Sequence, residues 1–320
     1  MFQYSKKYFS SINNKTTKLG WIGTGVMGQY MCEHLIKSGY QVNVYNRSLH
    51  KCQNLANMGA NIVSSPMEVG INSDIIFSIV GYPSDVRDII LNDNNGLLNG
   101  CKNGNIIVDM TTSEPSLAIE IENKALLKGV YSLDAPVSGG DIGAKNGTLS
   151  IMVGGNKIIY DKITTLLNII GNNVQYMGNA GLGQHTKMVN QILISTTMIG
   201  VCEGLIYGYK SGLQLNDLIN IISKGAASSF SLNVLGNRII NGNYNPGFYV
   251  EHFIKDMEIA LNESKKMNLC LPGLALAQQL YMALKAQNHS KKGTQALILA
   301  LEQLSGIEYF KNLEQKTQEN

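Results

Sequence analysis

The chain has 320 residues, 15% of them charged, and a formal net charge of +3. That length exceeds one ordinary core and predicts two domains, and scattered lysines with no basic, aromatic-rich stripe exclude a nucleic-acid footprint. Five widely spaced cysteines (Cys32, Cys52, Cys101, Cys202, Cys270) contain no C-x-x-C pair and read as buried thiols in a reducing compartment, which argues against a metal site.

At the start of the chain, Lys6, Lys7, Lys15 and Lys18 precede the first acid, Glu33, among Ser, Thr, Asn and aromatic residues. This is the composition of a transit peptide without its usual arginines and equally of a disordered tail. Residues 1–17 are therefore set apart from the fold, with mitochondrial and cytoplasmic residence both open.

Residues 18–22 form a short apolar run leading into Gly23-Thr24-Gly25-Val26-Met27-Gly28 and then into a helical stretch up to Lys37. Strand, G-x-G-x-x-G and helix in that order are the dinucleotide fingerprint. Its first glycine allows the tight turn, the second lets backbone approach a pyrophosphate, and the third permits close helix-strand packing. The next strand, Gln41–Tyr45, ends in Asn46-Arg47-Ser48. An acid at this place would bind the adenosine ribose of NAD; its absence, with Arg47 present, favours NADP, and NAD stays possible.

Strand-like runs at 60–63, 74–80 and 105–109 alternate with helical segments at 47–57, 66–71 and 84–91, which predicts a doubly wound parallel sheet. Runs at 130–134, 150–153 and 174–176 extend it. Tyr82-Pro83 and Thr112-Ser113 follow two strands at the carboxyl edge, where such sheets bind ligands; Thr112 and Ser113 also suit a helix cap. After the 130–134 strand, Ser138-Gly139-Gly140 forms either a loop with backbone N–H groups converging on an anion or a glycine hairpin.

Beyond residue 183 the strands stop, and helices are expected near 183–211, 214–224, 229–240, 251–268, 272–287 and 292–303. Gly181 and Gly183 precede Lys187, and from Met188 to Cys202 the thiol of Cys202 is the one ionisable side chain. Such a helix should be buried on most faces and run between the domains. Gly200, Gly204 and Gly208 should let another helix approach it closely. The 188–202 run is too short and too rich in amides and hydroxyls for a membrane span. Lys311 to Asn320 reads as a frayed polar end. The layout expected is thus an α/β domain over 18–180, an all-α domain over 181–308 with a long interdomain helix, and a tail over 309–320.

Taken in order, the fingerprint, Asn46-Arg47-Ser48, Asp109-Met-Thr-Thr-Ser113, Asp134-Ala-Pro-Val-Ser-Gly-Gly140, Gly-x-Gly-x-x-x-Lys187-x-x-Asn190 and Lys255-Asp256 resemble the β-hydroxyacid dehydrogenase family over about residues 18–305. The resemblance implies a Rossmann-type first domain and transfer of hydride between a nicotinamide and a small hydroxy acid or semialdehyde. Lys187 matches the family's catalytic lysine, whose ordinary pKa is too high for exchange near neutrality and must be lowered by desolvation and neighbouring positive charge. Ser138, Gly139 and Gly140 match the substrate-carboxylate loop. Asn190 and Gln191 occupy the two places for the lysine's amide partner, Gln191 standing where relatives often carry Asn. Phe248 matches a substrate-lining aromatic, Asp256 a site neighbour, and Lys255 a cofactor contact. Gly23 to Gly28, Asn46, Arg47, Ser48, Tyr82, Pro83 and Thr112 complete the expected cofactor set.

The leading expectation is an NADP-dependent dehydrogenase of a β-hydroxy acid, with a glyoxylate or succinic semialdehyde reductase as the alternative. A non-catalytic dinucleotide-binding module is the reading from another class; retention of Lys187 disfavours it, as it disfavours an imine reductase. No nucleic-acid or membrane partner is expected, and the apolar helix favours a homodimer or homotetramer.

Overall fold

The computed structural model describes residues 12–318, so most of the expected targeting or disordered segment lies outside the described residues. The chain divides after Lys187 into two compact units.

The first unit runs β1 (Lys18–Ile22), α1 (Gly28–Lys37), β2 (Gln41–Tyr45), α2 (Gln53–Asn57), β3 (Asn61–Ile62), α3 (Pro66–Asn72), β4 (Ile75–Ser78), α4 (Pro83–Leu91), α5 (Leu97–Gly100), β5 (Ile106–Asp109), α6 (Pro115–Leu126), β6 (Tyr131–Asp134), β7 (Val137–Ser138), α7 (Gly140–Asn146), β8 (Leu149–Gly155), α8 (Lys157–Ile170) and β9 (Gly171–Gly178). One sheet results, in the order β3-β2-β1-β4-β5-β6-β8-β7, with β9 on the other side of β8. Successive side chains of a strand point to opposite faces, and strands covered on both faces need apolar residues at every position. Accordingly Leu19, Trp21, Phe77 and Val108 enter one core while Ile22, Ile76 and Ile107 enter the other.

From β3 to β6 the pairing is parallel, as the alternation predicts, but β8 runs antiparallel to both β6 and β7. Only the short α7 separates β7 from β8, and an antiparallel return needs no long crossover. Strand order reverses at β1, so the carboxyl end of β1, directly before Gly23, is the topological switch point.

α9 (Leu182–Lys210) starts in the first unit and continues into the second, which adds α10 (Leu215–Ile222), α11 (Asn237–Ile240), α12 (Val250–Lys266), α13 (Pro272–Ala286), α14 (Leu297–Leu304) and α15 (Tyr309–Gln318). Their shared core includes Cys202, Leu205, Phe253, Tyr281 and Phe310.

Four expectations about this half are corrected. α9, expected to be buried on most faces, leaves one face open: Val189, Leu193 and Tyr207 are exposed, and a side chain at Gly200 or Gly204 would meet nothing within 4 Å. Close packing against the glycine face occurs at Gly208, where an added Cβ would lie 2.5 Å from Leu218. With 29 residues and a mean hydropathy of 1.4 in its most apolar stretch, α9 also has the length a membrane span needs, although its Met198, Cys202 and Leu205 are core residues. Finally, the stretch expected to fray is α15. Its start is tied down by Glu302, whose carboxylate accepts the N–H groups of Phe310 and Lys311 at 2.8 Å each, which supplies the capping that an open helix N-terminus lacks.

Candidate active site

The Gly23 loop is shaped by contacts that tolerate no side chain at two of its three glycines. Gly23 has φ +99°, and a Cβ there would lie 2.0 Å from the carbonyl oxygen of Ile79; at Gly28 it would lie 2.3 Å from the carbonyl oxygen of Gly23. The buried Trp21 indole donates to that same Gly23 carbonyl at 2.7 Å and so fixes the turn from below. Gly25 differs, since a Cβ there would meet nothing within 4 Å. It borders an open cleft of about 390 Å³ whose other walls include Thr24, Gln29, His50 and Lys51. α1 begins with no side-chain cap bond and no acid in its first turn, so its leading N–H groups suit a phosphate. These residues fit a dinucleotide pyrophosphate: two glycines shape the backbone and the third leaves room for the ligand.

At the end of β2, Asn46 accepts the Thr24 N–H through Oδ1 at 3.1 Å and donates through Nδ2 to the Ser48 carbonyl at 3.0 Å. Its side chain therefore ties the loop after β2 to the phosphate loop. Arg47 is 87% exposed and lies 3.4 Å from the Asp85 carboxylate. Asp85 also accepts the Tyr82 N–H at 3.2 Å, which orients the turn into α4 around Tyr82 and Pro83. His50 and Lys51 were not singled out in the sequence, yet both line the cleft beside Gly25.

The ends of β5 and β6 carry two neighbouring buried carboxylates, Asp109 and Asp134. Burial pushes the Asp109 carboxyl up to about 6, although hydrogen bonds from Ser78 and Thr111 pull the other way. Burial also raises Asp134, against the N–H groups of Gly181 and Gln184. The N-cap position of α6 is taken by Glu114, without a side-chain cap bond, and the Ser113 hydroxyl caps nothing. The Ser113 N–H donates to Gln184, and Thr111 Oγ1 accepts the Val80 N–H. Local sequence could not reveal this, because Gln184 lies 71 residues from Ser113.

Ser138 ends β7, followed by Gly139 and Gly140 with φ +133° and +63°. Two consecutive positive φ values require glycine and turn the chain sharply into α7. In the same unit, Lys187 on α9 is 7% exposed.

In the second unit, Asn190 donates to Gln191 at 2.8 Å, and Gln191 donates to Asp256 at 2.6 Å. The other carboxylate oxygen of Asp256 pairs with Lys255 at 2.7 Å. With Gln191 and Asp256 fully buried, this is an interior polar chain. Phe248 packs on Phe253 with ring centroids 5.5 Å apart. Nearby His252 is held below its ordinary pKa by burial and by Lys255. The expected residues thus fall into two sets: the fingerprint, the loop after β2, Tyr82, Thr112, Ser138 to Gly140 and Lys187 in the first unit, and Asn190, Gln191, Phe248, Lys255 and Asp256 in the second.

Comparison with known proteins gives a consistent picture. Residues 18–178 match the family model described as the NAD-binding domain of 6-phosphogluconate dehydrogenase. Residues 181–301 match that of NADP-dependent 3-hydroxyisobutyrate dehydrogenase. The chain is 53% identical to a probable 3-hydroxyisobutyrate dehydrogenase-like 1, mitochondrial, of Arabidopsis thaliana, over 92% of this chain and 88% of that protein. It is 36% identical to the 2-hydroxy-3-oxopropionate reductase of Escherichia coli K12, over 89% of this chain and 97% of that one. A solved structure, Psf3 in complex with NADP+ and 2-OPP, superposes with a TM-score of 0.82 at 26% identity, covering 88% of this chain and 99% of the other. With the phosphate loop, the doubly wound sheet and the all-helical second unit in place, the chain belongs to the β-hydroxyacid dehydrogenase family of NAD(P)-dependent oxidoreductases.

Proposed function

We propose that the chain interconverts a small β-hydroxy acid and its semialdehyde with NADP, and that Lys187 is the general acid and base. The observation that carries this reading is the burial of Lys187, 7% exposed, on the helix that starts beside the strand ends β5 and β6. Lysines are rarely buried unless they are paired, and burial disfavours the charged form, which eases release of the proton that a general acid must give up. The bound nicotinamide supplies the hydride. Lys187 delivers a proton to the carbonyl oxygen on reduction and removes it on oxidation. Ser138 and the N–H groups of Gly139 and Gly140 hold the substrate carboxylate. Within the second unit, Gln191 and Lys255 hold the two carboxylate oxygens of Asp256, and the family resemblance gives Asn190, Gln191, Phe248 and Asp256 the part of substrate contacts.

For the nucleotide, the open position of Arg47 and the placement of Lys51 beside Gly25 support a site for a 2′-phosphate, and no acid stands at the end of β2 to bind a free ribose. The substrate class is supported by the 2-hydroxy-3-oxopropionate reductase relative. A steady-state screen of succinic, methylmalonate and tartronate semialdehydes, glyoxylate and 3-hydroxyisobutyrate with both cofactors tests the reading. Turnover favouring NADPH over NADH is expected. Cofactor binding without turnover of any compound would return the chain to a non-catalytic dinucleotide-binding role.

We further propose that a second copy of the chain covers α9. Val189, Leu193 and Tyr207 are exposed and share one helix face with the open Gly200 and Gly204. Light scattering on the purified protein should give a dimer or tetramer, and a monomeric mass contradicts this. The acid-free, lysine-bearing first segment and the mitochondrial naming of the plant relative support import into the mitochondrion. A fluorescent fusion that stays cytosolic would oppose it.

A further inference from the structure

Gln184 is buried with 0% exposure in the first turn of α9, and each of its polar groups has a defined partner. Its backbone N–H donates to Asp134 Oδ2 at 2.8 Å, and the other oxygen of that carboxylate accepts the Gly181 N–H at 2.8 Å. Asp134 therefore caps α9 from the end of β6, engaging two of the N–H groups that a helix start leaves unpaired. The side chain of Gln184 reaches the neighbouring strand end. Nε2 donates to the Thr111 carbonyl at 2.7 Å, and Oε1 accepts the Ser113 N–H at 3.0 Å. Two adjacent strand ends, β5 and β6, thus grip the same helical residue.

The grip leaves little room for sliding. An added Cβ at Gly183 would lie 2.5 Å from the Met152 carbonyl and 2.6 Å from that of Asp134, so the start of α9 sits directly on the backbones of β8 and β6. Gln184 precedes Lys187 by three residues, which places both near one helix face. A slip of one residue along the axis would move Lys187 by about 1.5 Å and rotate it by about 100°.

We propose that Gln184, with Asp134, is the positioning residue that sets the place of Lys187 relative to the loop after β5. That loop contains Thr112, an expected cofactor contact, so one side chain fixes the helix bearing the proton donor against the segment facing the hydride carrier. The inference rests on the reading of Lys187 as general acid and base. Misplacement of a reacting group by about 1 Å is enough to cost roughly 100-fold in rate.

Gln184→Met keeps the length of the side chain and removes both of its hydrogen bonds. Turnover should be measured per cofactor-binding site, with the cofactor Kd and the solvent deuterium isotope effect, in parallel with Lys187→Ala. The expected result for Gln184→Met is a kcat lower by roughly 10- to 100-fold, with cofactor Kd and substrate KM within about threefold and a larger solvent isotope effect because proton transfer has become slower. A purely structural role would lower the number of binding sites without changing kcat per site. If Gln184→Met does not fold, Gln184→Glu preserves shape and the acceptor for Ser113 while losing the donor to Thr111, and the same kcat loss is expected. Wild-type kcat per site in a folded variant, or a loss that follows cofactor Kd alone, overturns the positioning role. If Lys187→Ala itself retains turnover, the reading of Lys187 fails; if it loses turnover and Gln184→Met does not, the positioning inference alone fails.

Discussion

Gln191 donates its side-chain amide to the carboxylate of Asp256 across 2.6 Å, 65 residues away in sequence and buried with it. The long arm reaches the carboxylate and leaves its own oxygen to Asn190. Replacement by leucine strips a buried carboxylate of one partner, and hydrogen bonds to charged groups are worth about 1.5–3 kcal/mol. Gln191→Leu should lose that much stability in chemical denaturation. An unchanged denaturation midpoint would mean that the bond adds nothing net.

The fingerprint glycines divide into structural and functional members. Gly23→Ala combines an unfavourable φ with a backbone clash at 2.0 Å, so it should cost about 3 kcal/mol or more and yield little soluble protein. At Gly25 the φ is ordinary and the space open. Gly25→Val should therefore fold normally and bind the dinucleotide roughly 10- to 100-fold more weakly, as read by fluorescence titration. Unaltered binding would place the pyrophosphate elsewhere.

Arg47 is nearly free of the fold apart from its exposed pairing with Asp85, and such pairs contribute little stability. Arg47→Ala should leave the melting temperature in place. It should raise KM for NADPH by about 10- to 100-fold, the worth of a charge-assisted contact to a 2′-phosphate, with NADH affected less than about threefold. Equal losses for both cofactors would show that Arg47 does not read the phosphate. Lys51→Ala should behave in the same direction.

Asp109 carries a pH signature. Its carboxyl is raised by burial from 3.8 to about 6, so between those values the folded state holds a proton that the unfolded state has released. Stability attributable to this group is full below about pH 4 and declines as pH rises through about 6, by on the order of 3 kcal/mol. Asp109→Asn keeps an oxygen for Ser78 and Thr111. Relative to wild type it should gain stability from about pH 4 to about pH 7 in urea unfolding. A constant difference across that range would show that Asp109 titrates normally.

Most of the first unit was legible because doubly buried strands must be apolar nearly throughout and the phosphate loop needs glycine at fixed spacing. What escaped depended on distance in sequence. The antiparallel return at β8 is decided by how short α7 is, the order of α15 by Glu302 reaching its N-terminus, and the role of Gln184 by partners 50 to 73 residues away. Gln184 did leave a trace, an amide in the first turn of the helix that bears Lys187. The cleft position of Lys51 had no local mark, since a lysine four residues past Arg47 resembles any surface lysine.

The role of Lys187 is tested most directly by pre-steady-state reduction of a semialdehyde by Lys187→Ala. With the cofactor and substrate bound at near wild-type affinity, the variant should show hydride transfer slowed by at least about 100-fold, the loss expected for a general acid, with partial recovery on adding a small primary amine. Hydride transfer at the wild-type rate with the same substrate would contradict the account.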